Sequence, residues 1–258
     1  MSTNLAWRAT VGWFTLLAAA CTAPIAYGRT GQVLDAGAFR VSISTTNGMR
    51  FTRAELVKAD PNSAPSSANG ATSGGGFSAA FGLLASWELQ ASISPWGRCE
   101  LGGLVSFVRA GGELRCGTLP RELGPVSAAL SVGASTTSEE PGGFAPRAGL
   151  DLSLGSGPVI PFVDVYVGHQ ARRYAVDELD LYRNEWRLSV PLGVSFNLAR
   201  DEIPYPAFSV AITPEMMFAS TPLPGSHLSS PEGTFRMHQR WAIFLSLRIE
   251  FEAAFTAL

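Results

Sequence analysis

The feature that most restricts this chain is a two-residue alternation of apolar with small or polar side chains, held over segments of about 12 to 15 residues. In the clearest segment, Trp186, Leu188, Val190, Leu192, Val194, Phe196 and Leu198 interleave with Arg187, Ser189, Pro191, Gly193, Ser195 and Asn197. Near the C-terminus, Trp241, Ile243, Leu245, Leu247, Ile249, Phe251 and Phe255 are set against Ser246, Arg248, Glu250 and Glu252. Successive strand residues point to opposite faces, so each segment is a strand with one greasy and one polar side. Globular strands usually run ~5 to 6 residues, whereas a strand crossing hydrocarbon needs ~9 to 11. The lengths point to strands that cross a membrane, their polar faces turned to a narrow lumen.

Composition removes most other classes. Only 16% of the 258 residues are charged and 46% are hydrophobic, which excludes a disordered chain. Beyond the N-terminus no run of 18 apolar residues exists to span a bilayer as a helix. A net charge of -2 and a pI near 5.9 leave no electrostatic footprint for nucleic acid. Residues 1–20 carry Arg8 and then an apolar stretch ending in small residues, the layout of a cleaved secretory signal. Residues 21–75 read as an N-terminal segment with a first strand at 38–45 and a flexible Pro/Ser/Gly linker at 60–76; residues 76–258 read as the barrel.

From Phe77 onward eight strands are counted, at about 77–92, 98–109, 124–136, 144–154, 159–170, 185–198, 205–217 and 238–255. The expected fold is an all-β, antiparallel, up-and-down transmembrane barrel of eight strands. It has ten if 38–45 belongs to the wall with a partner at 49–57, since bacterial barrels take even numbers. Aromatic residues at strand ends, Trp186, Trp241, Tyr205 and Phe255, are the candidate interfacial girdle. Connections alternate as such a barrel requires, with 155–158 and 199–204 short and 171–184 and 221–236 long.

These dyad strands and the closing Ile249, Phe251, Phe255 pattern resemble the small outer-membrane β-barrel proteins of Gram-negative bacteria. The resemblance implies an outer-membrane location, contact with outer-membrane lipid, delivery by the barrel assembly machinery, a monomer, and no cofactor. Ala18–Ala19–Ala20–Cys21 resembles a lipoprotein signal, which makes Cys21 the candidate lipidation site; ordinary cleavage after Ala20 or Ala23 is the alternative. With Cys21 set aside, Cys99 and Cys116 remain of the three cysteines. In an oxidising compartment they read as a disulfide, with two free thiols as the alternative.

Chemistry in the sequence is sparse. His227-Leu228-Ser229 faintly resembles the His-x-Ser of outer-membrane lipid A deacylases, but its flanks, Pro222 and Pro231, place it in a loop; a catalytic role is not expected. Arg147, Asp151, Asp164, Arg187, Arg248 and Glu250, with Glu215 and Glu252, fall on the polar faces. Charges withdrawn from water need partners, so they are expected to form an Arg/carboxylate network plugging the lumen. The expected role is structural, adhesive or that of a minor, porin-like conduit. Two rivals remain: a soluble calycin-like barrel with an apolar ligand inside, and a lipid-modifying membrane enzyme.

Overall fold

The computed structural model describes residues 24–57, 87–106, 109–117, 125–137, 143–155, 157–176, 179–198, 205–222, 229–230 and 233–254. Twelve strands run through them: β1 (Ala38–Val57), β2 (Glu88–Ser94), β3 (Cys99–Ser106), β4 (Arg109–Gly117), β5 (Val126–Thr137), β6 (Gly143–Leu154), β7 (Val159–Val176), β8 (Leu179–Ser189), β9 (Leu192–Asn197), β10 (Tyr205–Pro222), β11 (Ser229–Ser230) and β12 (Gly233–Ala254). β8 and β9 are the two halves of one wall strand, each lying between β7 and β10. The two-residue β11 pairs with the start of β12. The rest forms a ten-stranded antiparallel wall, and β12 closes it by pairing with β10 on one side and with β1 on the other, from Ala38↔Ala254 to Val57↔Thr234. Closure joins the two outer edges of the sheet, the condition for a sheet in hydrocarbon.

The break at Val190 and Pro191 has a local cause. Pro191 has no N–H to give to β7, and Pro214, opposite Val190 on β10, has none to return. Asp164 N donates to Pro191 O at 2.9 Å and Val190 N to Pro214 O at 2.9 Å, so the register continues across the gap.

The apolar faces point outward. Leu192, Leu245 and Val132 are 48%, 51% and 63% exposed, whereas their strand neighbours Ser195, Ser246 and Ser131 are buried. This is the reverse of the soluble calycin-like arrangement, whose greasy face turns inward. The steps from Trp241 to Phe251 cover roughly 34 Å of strand, or roughly 25 Å along the axis at a ~40° tilt, the height of an outer-membrane apolar band.

Of the two counts, the structure takes ten, by a different route. Residues 38–57 are a single strand, so 49–57 is not a separate partner for 38–45. The strand that alternation missed is β4, whose outward residues are Ala110, Gly112, Leu114 and Cys116; small side chains there left no greasy stripe to read. Residues 171–184, expected as a loop, continue the β7–β8 ladder from Ala171↔Asn184 to Val176↔Leu179. Parts of 221–236 likewise belong to β10, β11 and β12. The linker 60–76 and residues 77–86 of the expected first barrel strand lie outside the described residues.

Cys99 and Cys116 are cross-strand neighbours on β3 and β4 and form a disulfide. They lie at the rim where β1 begins and β12 ends, here called the lower rim.

Two outcomes follow from this wall. Leu192→Arg, facing outward at mid-height, is expected to cost ~2 to 4 kcal/mol in folding into lipid vesicles, with Ser195→Ala nearly silent; an equal loss for both would reverse the assignment of faces. Reduction of the disulfide, which closes a loop of 17-residue separation, should lower the unfolding free energy by ~3 kcal/mol on the chain-entropy model. Denaturant titration with and without reductant measures it.

Candidate functional site

An eight-stranded barrel is just filled by its own side chains; two more strands widen the bore. Here the extra space holds main chain. Residues 24–37 precede β1 without regular secondary structure, and Pro24, Ile25, Ala26, Tyr27, Arg29 and Leu34 are all buried. At the lower rim Gly37 N donates to Ser94 O at 2.8 Å. At the other end Arg109, the first residue of β4, donates to Pro24 O at 2.9 Å. The segment therefore threads the lumen from the lower rim to the level of the upper aromatic residues.

The wall supplies partners for the segment's main chain in both senses. Ile25 N donates to Glu215 Oε2 at 2.9 Å, Arg29 N to Asp164 Oδ2 at 2.8 Å, Gly31 N to Ser153 Oγ at 3.0 Å and Leu34 N to Glu100 Oε1 at 2.6 Å. In return Arg147 donates to Ile25 O at 3.0 Å, and Arg115 to Gln32 O at 2.9 Å and to Thr30 O. Buried peptide groups far from water need such partners, and charged ones make the stronger bonds. The fit leaves no room for side chains at two glycines. A Cβ on Gly31 would stand 2.4 Å from Ser127 O, and one on Gly28 2.6 Å from the Phe162 ring.

The charges of the lumen pair around this segment. Arg29 reaches Glu113 at 2.5 Å and Asp151 at 3.3 Å. Asp151 and Asp164 stand directly opposite each other on β6 and β7, an arrangement that repels unless cations intervene. Arg115 Nε donates to Asp151 at 2.6 Å and Tyr166 OH donates to its other oxygen, while Arg29 N caps Asp164. Nearer the lower rim Arg40 bridges Glu250 at 3.3 Å and Glu252 at 3.0 Å, and Arg248 lies 3.2 Å from Glu250. Higher up Arg187 joins Glu215 at 2.7 Å and Glu185 at 2.8 Å, and Arg109 holds Glu88 at 2.6 Å. Two cavities among the described residues are small, about 30 Å³ next to Arg40 and Glu250 and about 10 Å³ next to Arg29 and Tyr27, room for one or two waters.

All six charged residues anticipated from sequence face inward, and the structure assigns their partners. Arg147 contacts Glu113 at 2.9 Å and Ile25 O, and Glu250 answers to two arginines, Arg40 and Arg248. Sequence reading missed Arg29, which belongs to no alternating segment, and Arg109, Glu113 and Arg115, which sit on the unrecognised β4. Trp186 and Trp241 are 45% and 51% exposed on the outer face, but within strands rather than opening them, because the ladders run on above them. Trp186 contacts His169 at 5.1 Å and Phe218 at 6.4 Å between ring centres. Tyr205 opens β10 opposite Glu252. Cys21, Phe255 and His227 lie outside the described residues, as do residues 1–20. No group of metal-ligating side chains occurs among the described residues.

No protein-family model and no curated protein matches the sequence. Solved structures similar to it include Neisserial surface protein A, with 11% identity over 83% of this chain and 98% of that chain at a TM-score of 0.33. The N-terminal β-barrel domain of Pseudomonas aeruginosa OprF aligns at 8% identity over 85% and 99% of the two chains, TM-score 0.32. The outer membrane protease OmpT of Escherichia coli aligns at 8% identity over 86% and 100%, TM-score 0.40. Similarity at this level says nothing about activity, and the assignment as a barrel rests on the closed ladder.

Arg115 touches two carboxylates and two carbonyls, so Arg115→Ala strands buried charge and should cost ~3 to 5 kcal/mol in urea titration of the refolded barrel. Ser131→Ala, whose buried hydroxyl has no hydrogen-bond partner, is the control expected to change little.

Proposed function

We propose that this chain is an outer-membrane β-barrel protein of a Gram-negative bacterium with a structural or adhesive role and a lumen closed to ions. The observation that carries the reading is the occupied bore: residues 24–37 run through it with the Arg/carboxylate pairs packed around them, and the two cavities beside Arg40 and Arg29 hold only about 30 Å³ and about 10 Å³. A hydrated ion crossing it would have to break charge-assisted bonds in a low-dielectric interior, each more costly there than in water. The apolar outer face supports embedding in outer-membrane lipid, with the barrel assembly machinery as its route, and the chain acts as a monomer without a cofactor.

In this reading the lower rim is periplasmic, because the longest connection, residues 58–87 between β1 and β2, leaves from the other rim, where an outer-membrane barrel has its long loops. The turns at 95–98 and 155–158 are there, and the disulfide faces the oxidising periplasm. The opposite rim carries the prolonged β7–β8 and β1–β12 ladders, which stand above the apolar band and form the surface available to an outside partner. Residues 1–20 act as the export signal.

Planar-bilayer recording tests the reading. The unmodified protein should insert without steady conductance; a stable, ion-selective current would replace the sealed barrel with a conduit.

A further inference from the structure

We propose that the lumen is a binding site for an extended, arginine-bearing peptide, which this chain occupies with its own residues 24–37. The proposal rests on the sealed-barrel reading and assigns the seal a chemistry. The contacts that hold the segment are those of a peptide receptor rather than of a packed core. Glu215, Asp164, Ser153 and Glu100, from four different strands, accept four main-chain N–H groups in sequence order down the bore. Arg109, Arg147 and Arg115 donate to carbonyls of the same stretch, those of Pro24, Ile25 and Gln32. Contacts to the main chain read direction and extension, and they tolerate many side chains.

Selectivity comes from two places. One is the pocket around Arg29, where Glu113 and Asp151 receive the guanidinium while Asp164 takes the same residue's N–H. A planar cation with several donors suits two carboxylates better than an ammonium does. The other is the pair of close approaches at Gly28 and Gly31, which admit no larger residue. Residues 24–37 are tied to the wall by no strand ladder or disulfide, and Arg29 Nη2 and Asp164 Oδ1 are buried without hydrogen-bond partners. The grip is polar and incomplete. A free peptide of the same chemistry competes for it.

The test uses synthetic peptide 24–36 and a barrel lacking residues 24–34, beside the unmodified protein, in planar bilayers. The unmodified barrel stays closed, the truncated one conducts, and the peptide blocks that current; peptides carrying Arg29→Ala or Gly31→Val need at least about tenfold more for the same block. Should the truncated chain not fold, a protease site inserted between Ala36 and Gly37 allows the segment to be cut after folding. The cut fragment is then expected to stay with the barrel at low salt and to exchange with labelled peptide but not with its Arg29→Ala form. Immediate loss of the fragment, failure of the peptide to block or exchange, or equal action of the Arg29→Ala peptide overturns the proposal. A steady current from the unmodified protein sinks the sealed reading and the proposal together, whereas a closed unmodified barrel with no peptide effect sinks the proposal alone.

Discussion

Hydrocarbon offers no partner for a peptide N–H or C=O, and every backbone group at membrane depth must be satisfied inside the protein. In a sheet this is met only when the last strand returns to the first. The long β1–β12 ladder is therefore the contact on which the rest depends. It brings the two ends of the sheet together, sets the ring at ten strands, and forces each alternating sequence to choose one face for lipid and one for the bore.

Ring size then decides what fills the interior. Ten strands leave a bore that side chains alone do not close, and an open, water-filled bore would hydrate the carboxylates along it. The chain fills the space with its own backbone. Residues 24–37 bring peptide groups that bond to the same arginines and carboxylates, so the ion pairs and the threaded segment are one construction. Removing the wall charges leaves the segment's peptide groups buried without partners, whereas removing the segment leaves the wall charges to be met by water. The Asp151 and Asp164 pair makes the dependence local: two carboxylates face each other across β6 and β7, and both are answered by Arg29 of the segment.

The fold class was legible because alternation is a local property. Leu192 and Ser195 declare their faces to any reader who knows that strand side chains alternate, and the outward apolar band follows. The strand count was less legible. β4 presents Ala110, Gly112 and Cys116 to the outside, and a sheet surface lined by small residues carries no hydrophobic period although its backbone pairs as well as any other. Residues 171–184 were misread for the related reason that above the lipid band nothing requires one face to be apolar, so a ladder there looks like a loop. Of the lumen, the inward position of Arg147, Asp151, Asp164, Arg187, Arg248 and Glu250 could be read from parity alone.

By itself, then, the sequence determined that the chain is built of long alternating strands and which side of each alternating strand faces lipid, and it offered Cys99 and Cys116 as a pair, because each reading depends on side-chain periodicity or on chemistry within a short span. Only the tertiary structure decided that residues 24–37 lie in the bore and that Arg29 belongs to the charge network. Nothing in that segment alternates, and its partners come from β3, β4, β6, β7 and β10, between 66 and 190 residues away along the chain. Its place is set by the width of a closed ring and by the need of buried charges for partners, and neither exists until the sheet has closed.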